Sequence, residues 1–409
     1  MTEDSGTGNQ KAQRRALILV ATSQLLALTL WFSASAVGPQ LQEVWGLTIG
    51  QTAGLTLAVQ IGFVVGAFGS AVLGLADALA SRRLFVIAAL IGSVANAALV
   101  LPGPGDNVFA FVLRFLTGIA LAGVYPSGLK VMAGWYRQGR GMALGLLVGA
   151  LTVGSAGPHL VRGLGFEWEG VVLAASVLAV VAALIMGFGL EDGPFDAPSS
   201  RFSRQQIARV VSNRGVRLST YGYLGHMWEL YAMWTWTAGF LLASSAASGG
   251  SYWSVPFITF SVIAIGGGGA WLAGIWADRF GRSLVAGGSL AVSSGCALLT
   301  PFVFGRSALL VVPLFLVWGF SVVADSAQFS AMVTETADDE VRGTALTLQT
   351  ALGFLLTLVT IRGVPWLAEV WSWQWAFPVL ALGPLLGIVA MVRFRRMASH
   401  RPGQKPATV

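Results

Sequence analysis

Five ionisable residues interrupt long apolar runs: Arg114, His159, His226, Glu229 and Asp325. If lipid surrounds those runs, a charged group at mid-helix costs about 2.5–3.5 kcal/mol, so each is a functional candidate. His226 and Glu229 stand three residues apart, which puts them on one side of a helix. An apolar surround disfavours charge on a carboxyl and on an imidazole alike, so the pair can exchange protons near neutrality. The competing reading is a static His–Glu hydrogen bond that braces the helix. Asp325 lies in the polar stretch Ala324-Asp325-Ser326-Ala327-Gln328-Phe329-Ser330, which reads as cavity lining or as polar packing near a helix end. Arg114 either meets a solute or donates to neighbouring backbone carbonyls. Tyr221, Tyr223, Trp228, Tyr231, Trp234 and Trp236 crowd around the histidine–glutamate pair. They cannot all face one way. Some face lipid or belong to an interfacial belt; the rest read either as packing or as an aromatic wall suited to an organic or cationic ligand. Trp31, Tyr125 and Ser127 are further lining candidates. His159 follows Pro158 and reads as satisfying a backbone group that the proline frees.

The elements that hold these residues are membrane spans. Only 11% of the 409 residues are charged and 55% are hydrophobic, too few charges to cover a water-exposed surface. The net charge of +7 does not point to nucleic acid, because the basic residues are scattered between apolar runs. One cysteine, Cys296, excludes a disulfide framework and a cysteine-rich metal site. Three histidines spread over the chain supply no nucleophile–base or metal constellation, so no enzyme and no cofactor is expected. The Gly266–Gly269 run lacks the Lys-Ser/Thr ending of a phosphate loop and reads as close helix packing, as do Gly62/Gly66 and Gly145/Gly149.

A helix needs about 20 apolar residues to cross the hydrocarbon core. Twelve such runs lie near 16–37, 51–75, 84–101, 108–134, 141–163, 169–190, 217–243, 253–276, 284–304, 308–333, 343–363 and 374–394. The polar stretch before the first shows no cleavage site, so that span is expected to remain. The expected organisation is a tail at 1–15, a bundle at 16–190, a linker at 191–216 with Pro194 and Pro198, a second bundle at 217–394 and a tail at 395–409. With the N-terminus inside, 21 of the 25 lysines and arginines fall on or near the cytoplasmic face. This predicts an inner-membrane protein with both termini cytoplasmic.

The two halves repeat. Asp77 and Asp278 are 201 residues apart, as are Gly118 and Gly319; Arg140-Gly141 and Arg342-Gly343 are 202 apart, and Trp168 and Trp373 are 205 apart. A duplicated bundle is a common way to build a central site with alternating access. The stretch Gly274-Ile-Trp-Ala-Asp278-Arg279-Phe-Gly281-Arg282 resembles the loop motif of the major facilitator superfamily. Asp77 with Arg82-Arg83 resembles a worn copy, and Arg114-Phe-Leu-Thr-Gly118 resembles the fourth-helix motif. The fifth span carries Gly145, Gly154 and Gly157-Pro158, without the Gly-Gly and the spacing of the antiporter pattern.

The resemblance covers essentially the whole chain. It implies an all-α membrane protein of twelve helices in two pseudo-symmetric six-helix bundles, with helices 1, 4, 7 and 10 lining a cavity. The expected activity is secondary transport of a small organic solute, coupled to protons, by a monomer in the lipid bilayer. Drug or metabolite efflux and a nitrate-type anion permease are alternatives within the class. A receptor or assembly factor that lost transport is the alternative outside it; it would need an output domain, and the tails are about 15 residues each. The expected substrate contacts are Arg114, Tyr125, His226, Glu229, Trp234, Asp325, Gln328 and Trp31. The expected proton sites are Glu229, Asp325 and His226. The expected gate consists of Asp77, Arg82, Asp278, Arg279 and Arg282, whose opposite charges either pair with a neighbouring helix end and latch one conformation or serve only to set topology.

Overall fold

In lipid no water satisfies the backbone, so each apolar run must close its own hydrogen bonds as a helix. The computed structural model describes residues 4–73, 79–136, 140–195, 206–250 and 252–399. Twelve rods follow in order. They are α1 (Asp4–Leu28), α2 (Ile49–Leu73), α3 (Ser81–Ala97), α4 (Asn107–Trp135), α5 (Arg140–Gly163) and α6 (Trp168–Phe188). After a short helix at Ile207–Ser212 come α7 (Arg214–Ala247), α8 (Val255–Phe280), α9 (Arg282–Val303), α10 (Ala308–Ala324), α11 (Arg342–Val370) and α12 (Leu382–Ser399). Among the described residues ten helices are long and apolar enough to cross a membrane. The remaining two rods are α1, which carries Lys11, Arg14 and Arg15, and α7, which carries Arg214, Arg217, His226 and Glu229. Val108, Phe188 and Leu309 stand exposed on the outside, where lipid rather than water suits them.

Two helices depart from continuous spans. The rod begun by α1 breaks at residues 29–32 and resumes as the short helices Ser33–Ala36 and Gly38–Trp45. The rod begun by α10 breaks at Asp325 and resumes as Ser326–Thr336. Asp77 lies outside the described residues, as do residues 196–205 of the expected linker.

The repeat reappears in the packing. In the first half α2 packs on α4, α3 on α4 and α6, and α1 on α5 and α6; in the second, α8 packs on α10, α9 on α10 and α12, and α7 on α11 and α12. The halves meet along α5/α8 and α2/α11. The correspondence holds residue by residue. Gly118 lies against the carbonyl of Val59, and Gly319 against that of Val262. Gly66 lies against the carbonyl of Ile119, and Gly269 against that of Phe320. A Cβ at any of these positions would press on backbone, so the sequence uses glycine where two helices touch main chain to main chain. Gly149 and Gly267 make the same kind of approach between the halves, across α5/α8.

Gly118→Leu should therefore force α2 from α4 and cost about 1–3 kcal/mol of overpacking strain. Gly319→Leu should cost the same in the other half. Melting of the purified variants in detergent measures both; a Gly118→Leu protein as stable as the parent would show that the seam does not form.

Candidate functional site

The face of α2 that carries Thr52 and Thr56 leads inward at helical spacing to Gln60 and Phe63. With Ser35, Gln42, Thr235, Trp236 and Trp373, the two threonines line a cleft of about 210 Å³ between the halves. Ser35 hydrogen-bonds Thr56 at 2.7 Å. Further along the same helices, from Thr56 to Phe63 on α2 and from Thr235 to Tyr231 on α7, comes a plug of four rings, two from each half. Trp31 and Phe63 come from the first, Tyr231 and Phe354 from the second. Trp31 stacks on Phe354 with centroids 5.6 Å apart, and Phe63 lies 4.5 Å from Phe354. Tyr231 lies 5.7 Å from Trp31 and 5.2 Å from Phe354. Phe32 and Trp234 widen this layer, with Trp234 set edge-on to Phe32 at 5.8 Å.

On the other side of the plug lie tyrosines and amides. Tyr223 hydrogen-bonds Thr350, and Tyr125 is within electrostatic reach of Tyr223 and Tyr231. Gly353 on α11 packs on Tyr223 and Met227 of α7. Gln349 stands one turn before Gly353 on the same side of α11, and Gln24 of α1 packs against Gly128 of α4. The amides of Gln24, Gln60 and Gln349 are buried, and neither their nitrogen nor their oxygen has a hydrogen-bond partner. The indole nitrogens of Trp31 and Trp234 are likewise unpartnered. The three glutamines are not among the residues expected from the sequence. An uncharged amide in an apolar run was the available signal.

The ionisable residues assort differently from the sequence expectation. His226 and Glu229 are not a pair. The Nδ1 of His226 lies 2.7 Å from Oδ1 of Asp325, and both side chains are buried. The His226 ring sits between Tyr223 at 6.0 Å and Phe329 at 5.8 Å. Glu229 turns instead into the second bundle. Its Oε1 accepts from Trp318 Nε1 at 2.7 Å on α10, and its Oε2 lies 2.8 Å from the Ser293 hydroxyl on α9. Residues three apart share a side of the helix but are offset by about 60° around it, enough for each to meet a different neighbour.

Arg114 is buried, with both Nη atoms bonded and its Nε without a partner. Its guanidinium donates to the carbonyls of Leu30 at 3.2 Å and Trp31 at 2.7 Å, to Ser33 Oγ at 3.1 Å and to Asn96 Oδ1 at 2.7 Å. Those carbonyls belong to the broken stretch after α1, where helical partners are missing. Asn96 in turn donates to the Val172 carbonyl and to Ser176 of α6. Arg114 therefore ties α4, α3, α6 and the break together through neutral acceptors. Gln328 is also occupied, accepting from Arg282 at 3.2 Å. His159 is buried, and its Nε2 has no partner.

Of the expected gate residues, Arg282 and Arg82 make polar contacts near the ends of their own bundles. Arg282 donates to Glu335 at 2.5 Å, so it ties the start of α9 to the end of Ser326–Thr336. Gly281, at φ +92°, makes the sharp turn from α8 to α9, a conformation that favours glycine. Asp278 and Arg279 are exposed there, and the Arg279 guanidinium lies over the Phe280 ring. Arg82 reaches the Leu190 carbonyl and lies 3.5 Å from Asp192, after α6.

Known proteins share this architecture. The chain covers 93% of its length, and 99% of the other's, in superposition on a crystal structure of the nucleoside transporter NupG, with a TM-score of 0.68 at 15% identity. That is a likeness of fold. Over 174 residues it is 28% identical to a gentisate transporter of Corynebacterium glutamicum; the match takes in 42% of this chain and 38% of that protein. A sequence model of the Major Facilitator Superfamily matches residues 20–360 and 257–409. With twelve helices, a two-fold repeat of packing and that match across nearly its whole length, the chain belongs to the major facilitator superfamily of membrane transporters.

Proposed function

We propose that this transporter carries a small organic solute in exchange with or alongside protons, by alternating access of the bundles 16–190 and 217–394. In this reading the protein works as a monomer in the inner membrane. The basic loops and both termini are cytoplasmic, and the stretch 191–216 links the bundles. The path runs from the cleft beside Thr52 and Thr56, through the plug, to Tyr125 and Tyr223. Because the plug takes two rings from each half, moving the halves apart opens it without unfolding either.

The observation that carries proton coupling is the buried contact between His226 and Asp325, set where the tenth rod breaks and beside Tyr223. Ionised Asp325 accepts from His226; a proton on Asp325 removes that charge and weakens the tie between α7 and the tenth rod. A change of surroundings from wet to dry drives uptake of the proton and the reverse releases it. Glu229 is a brace in this scheme, since α9 and α10 fix both its oxygens. Arg282 serves as the latch by holding the end of the tenth rod, while Asp278 and Arg279 shape its turn.

Arg114 disfavours the anion-permease alternative, because both its Nη atoms are held by the break after α1, Ser33 and Asn96. Gentisate, named for the corynebacterial relative, and an uncharged ring such as resorcinol are the solutes to try, since the two separate an anionic from a neutral substrate. The test is uptake by proteoliposomes under an imposed pH gradient. Accumulation that collapses with a protonophore supports the proposal; uptake indifferent to the gradient for every solute carried refutes coupling.

A further inference from the structure

The plug and its neighbours differ from an ordinary apolar interface in one respect. Three primary amides, Gln24, Gln60 and Gln349, are no more than 1% exposed and lack partners at both polar atoms. The Trp31 indole nitrogen lacks one too. An unsatisfied buried polar group costs about 1–3 kcal/mol, so three amides held this way oppose stability. They are not scattered. Gln60 shares a side of α2 with Phe63, which touches Trp31 and Phe354. Gln349 shares a side of α11 with Gly353, which packs on Tyr223. Gln24 packs at Gly128, one turn from Tyr125 on α4. The amides thus sit on α1, α2 and α11, the same rods that supply Trp31, Phe63 and Phe354 to the layer.

Charge is missing from the same place. Arg114 is bound to neutral acceptors. Glu229 is turned toward Trp318 and Ser293. Asp325 is matched by His226. No residue lining the cleft beside the plug is charged. A cation would enter with nothing free to balance it, at a cost of several kcal/mol; the one uncompensated charge, Arg114, holds both Nη atoms on neutral acceptors, which an anion would have to displace.

Stacked rings prefer a flat partner. A glutamine amide offers a donor beside an acceptor and reads a planar edge that carries the complementary pair. We infer that the solute recognised between Trp31 and Phe354 is an uncharged planar ring bearing hydrogen-bond donors and acceptors, a nucleobase-like heterocycle or a hydroxylated arene, with Gln24, Gln60 and Gln349 as its polar contacts. The inference rests on the transport reading only for the site being reachable; it specifies the substrate class of that site.

The test uses the purified full chain in detergent and follows its melting with adenine, nicotinamide and resorcinol as uncharged rings. Gentisate at neutral pH and choline serve as the anion and the cation. A saturable rise in melting temperature is expected for at least one uncharged ring and for neither ion. Gln60→Leu and Gln349→Leu should melt at or above the parent's temperature, since each removes an unpaired amide, yet bind the ring at least tenfold more weakly. A glutamine with a purely structural role would instead lose stability when replaced. Should a leucine variant fail to fold, Trp31→Phe keeps the stack and removes the indole donor; it should weaken binding several-fold at unchanged stability. Stabilisation by gentisate or choline alone, silence from all three uncharged rings, or unaltered binding by the glutamine variants overturns the inference. Proteoliposome flux of the bound ring separates this from the transport reading. A ring that binds through the glutamines but does not follow the pH gradient refutes proton coupling and leaves the site standing. Gradient-driven uptake of ions only refutes the site and leaves coupling standing.

Discussion

Arg114→Met should destabilise the protein by about 1–3 kcal/mol, because the Trp31 carbonyl loses its donor inside a dry bundle and an orphaned acceptor costs about that much, while the Leu30 carbonyl keeps the Ser33 hydroxyl 3.1 Å away. Ser33 and Asn96 lose less, since the Ser33 hydroxyl also donates to Asn96 at 2.7 Å. Methionine keeps much of the volume but none of the five donors. Lysine supplies a single ammonium point where a planar fork now spans two carbonyls, a serine and an asparagine, so Arg114→Lys should recover only part of the loss. Melting of both variants in detergent, without added solute, is the measurement. A methionine variant as stable as the parent but unable to bind solute would return Arg114 to the substrate site.

Asp325→Asn should abolish gradient-driven accumulation while leaving exchange at equal pH. Asparagine can still bond His226, so the tie between α7 and the tenth rod persists, but no proton is taken up or released. With one proton moved per neutral solute, a gradient of one pH unit sustains about tenfold accumulation, the equivalent of about 1.4 kcal/mol. In Asp325→Asn that ratio should fall to about one, and counterflow of labelled solute should survive. Glu229→Gln is the companion. Its amide oxygen can still accept from Trp318 and its nitrogen can face Ser293, so accumulation should persist. Loss of accumulation in Glu229→Gln with retention in Asp325→Asn would place the proton on α7 and refute the His226–Asp325 assignment.

The spans were legible because lipid demands long apolar runs, and the repeat because glycines at main-chain contacts cannot drift. Gly118 and Gly319 sit 201 residues apart in the sequence and meet equivalent carbonyls in the fold. The partners of the polar residues were less legible. Spacing along α7 put His226 and Glu229 on one side, but Asp325 on the tenth rod and Ser293 on α9 decide where each side chain points. No spacing along a single helix contains that information. The break at residues 29–32 was unreadable for a similar reason. Thr29, Leu30, Trp31 and Phe32 contain neither proline nor glycine, and Arg114, 84 residues away from Leu30, supplies the donors that stabilise the opened turn. Bracing by Arg114 was one of the two readings open at the start, and the choice between them needed the fold.

The glycine seams also govern how the molecule deforms. Along α2/α4 and α8/α10 main chain rests on main chain, with no long side chain between to change rotamer and absorb a displacement. Each half is therefore mechanically stiff across its seam. The material between the halves is softer: rings that can tilt at the plug, and glycine faces on α5 and α8 that can slide past one another. A load applied by an entering ring is not shared evenly. Stiff plates pass such a load on, so shear is expected where Gly149 meets Gly267.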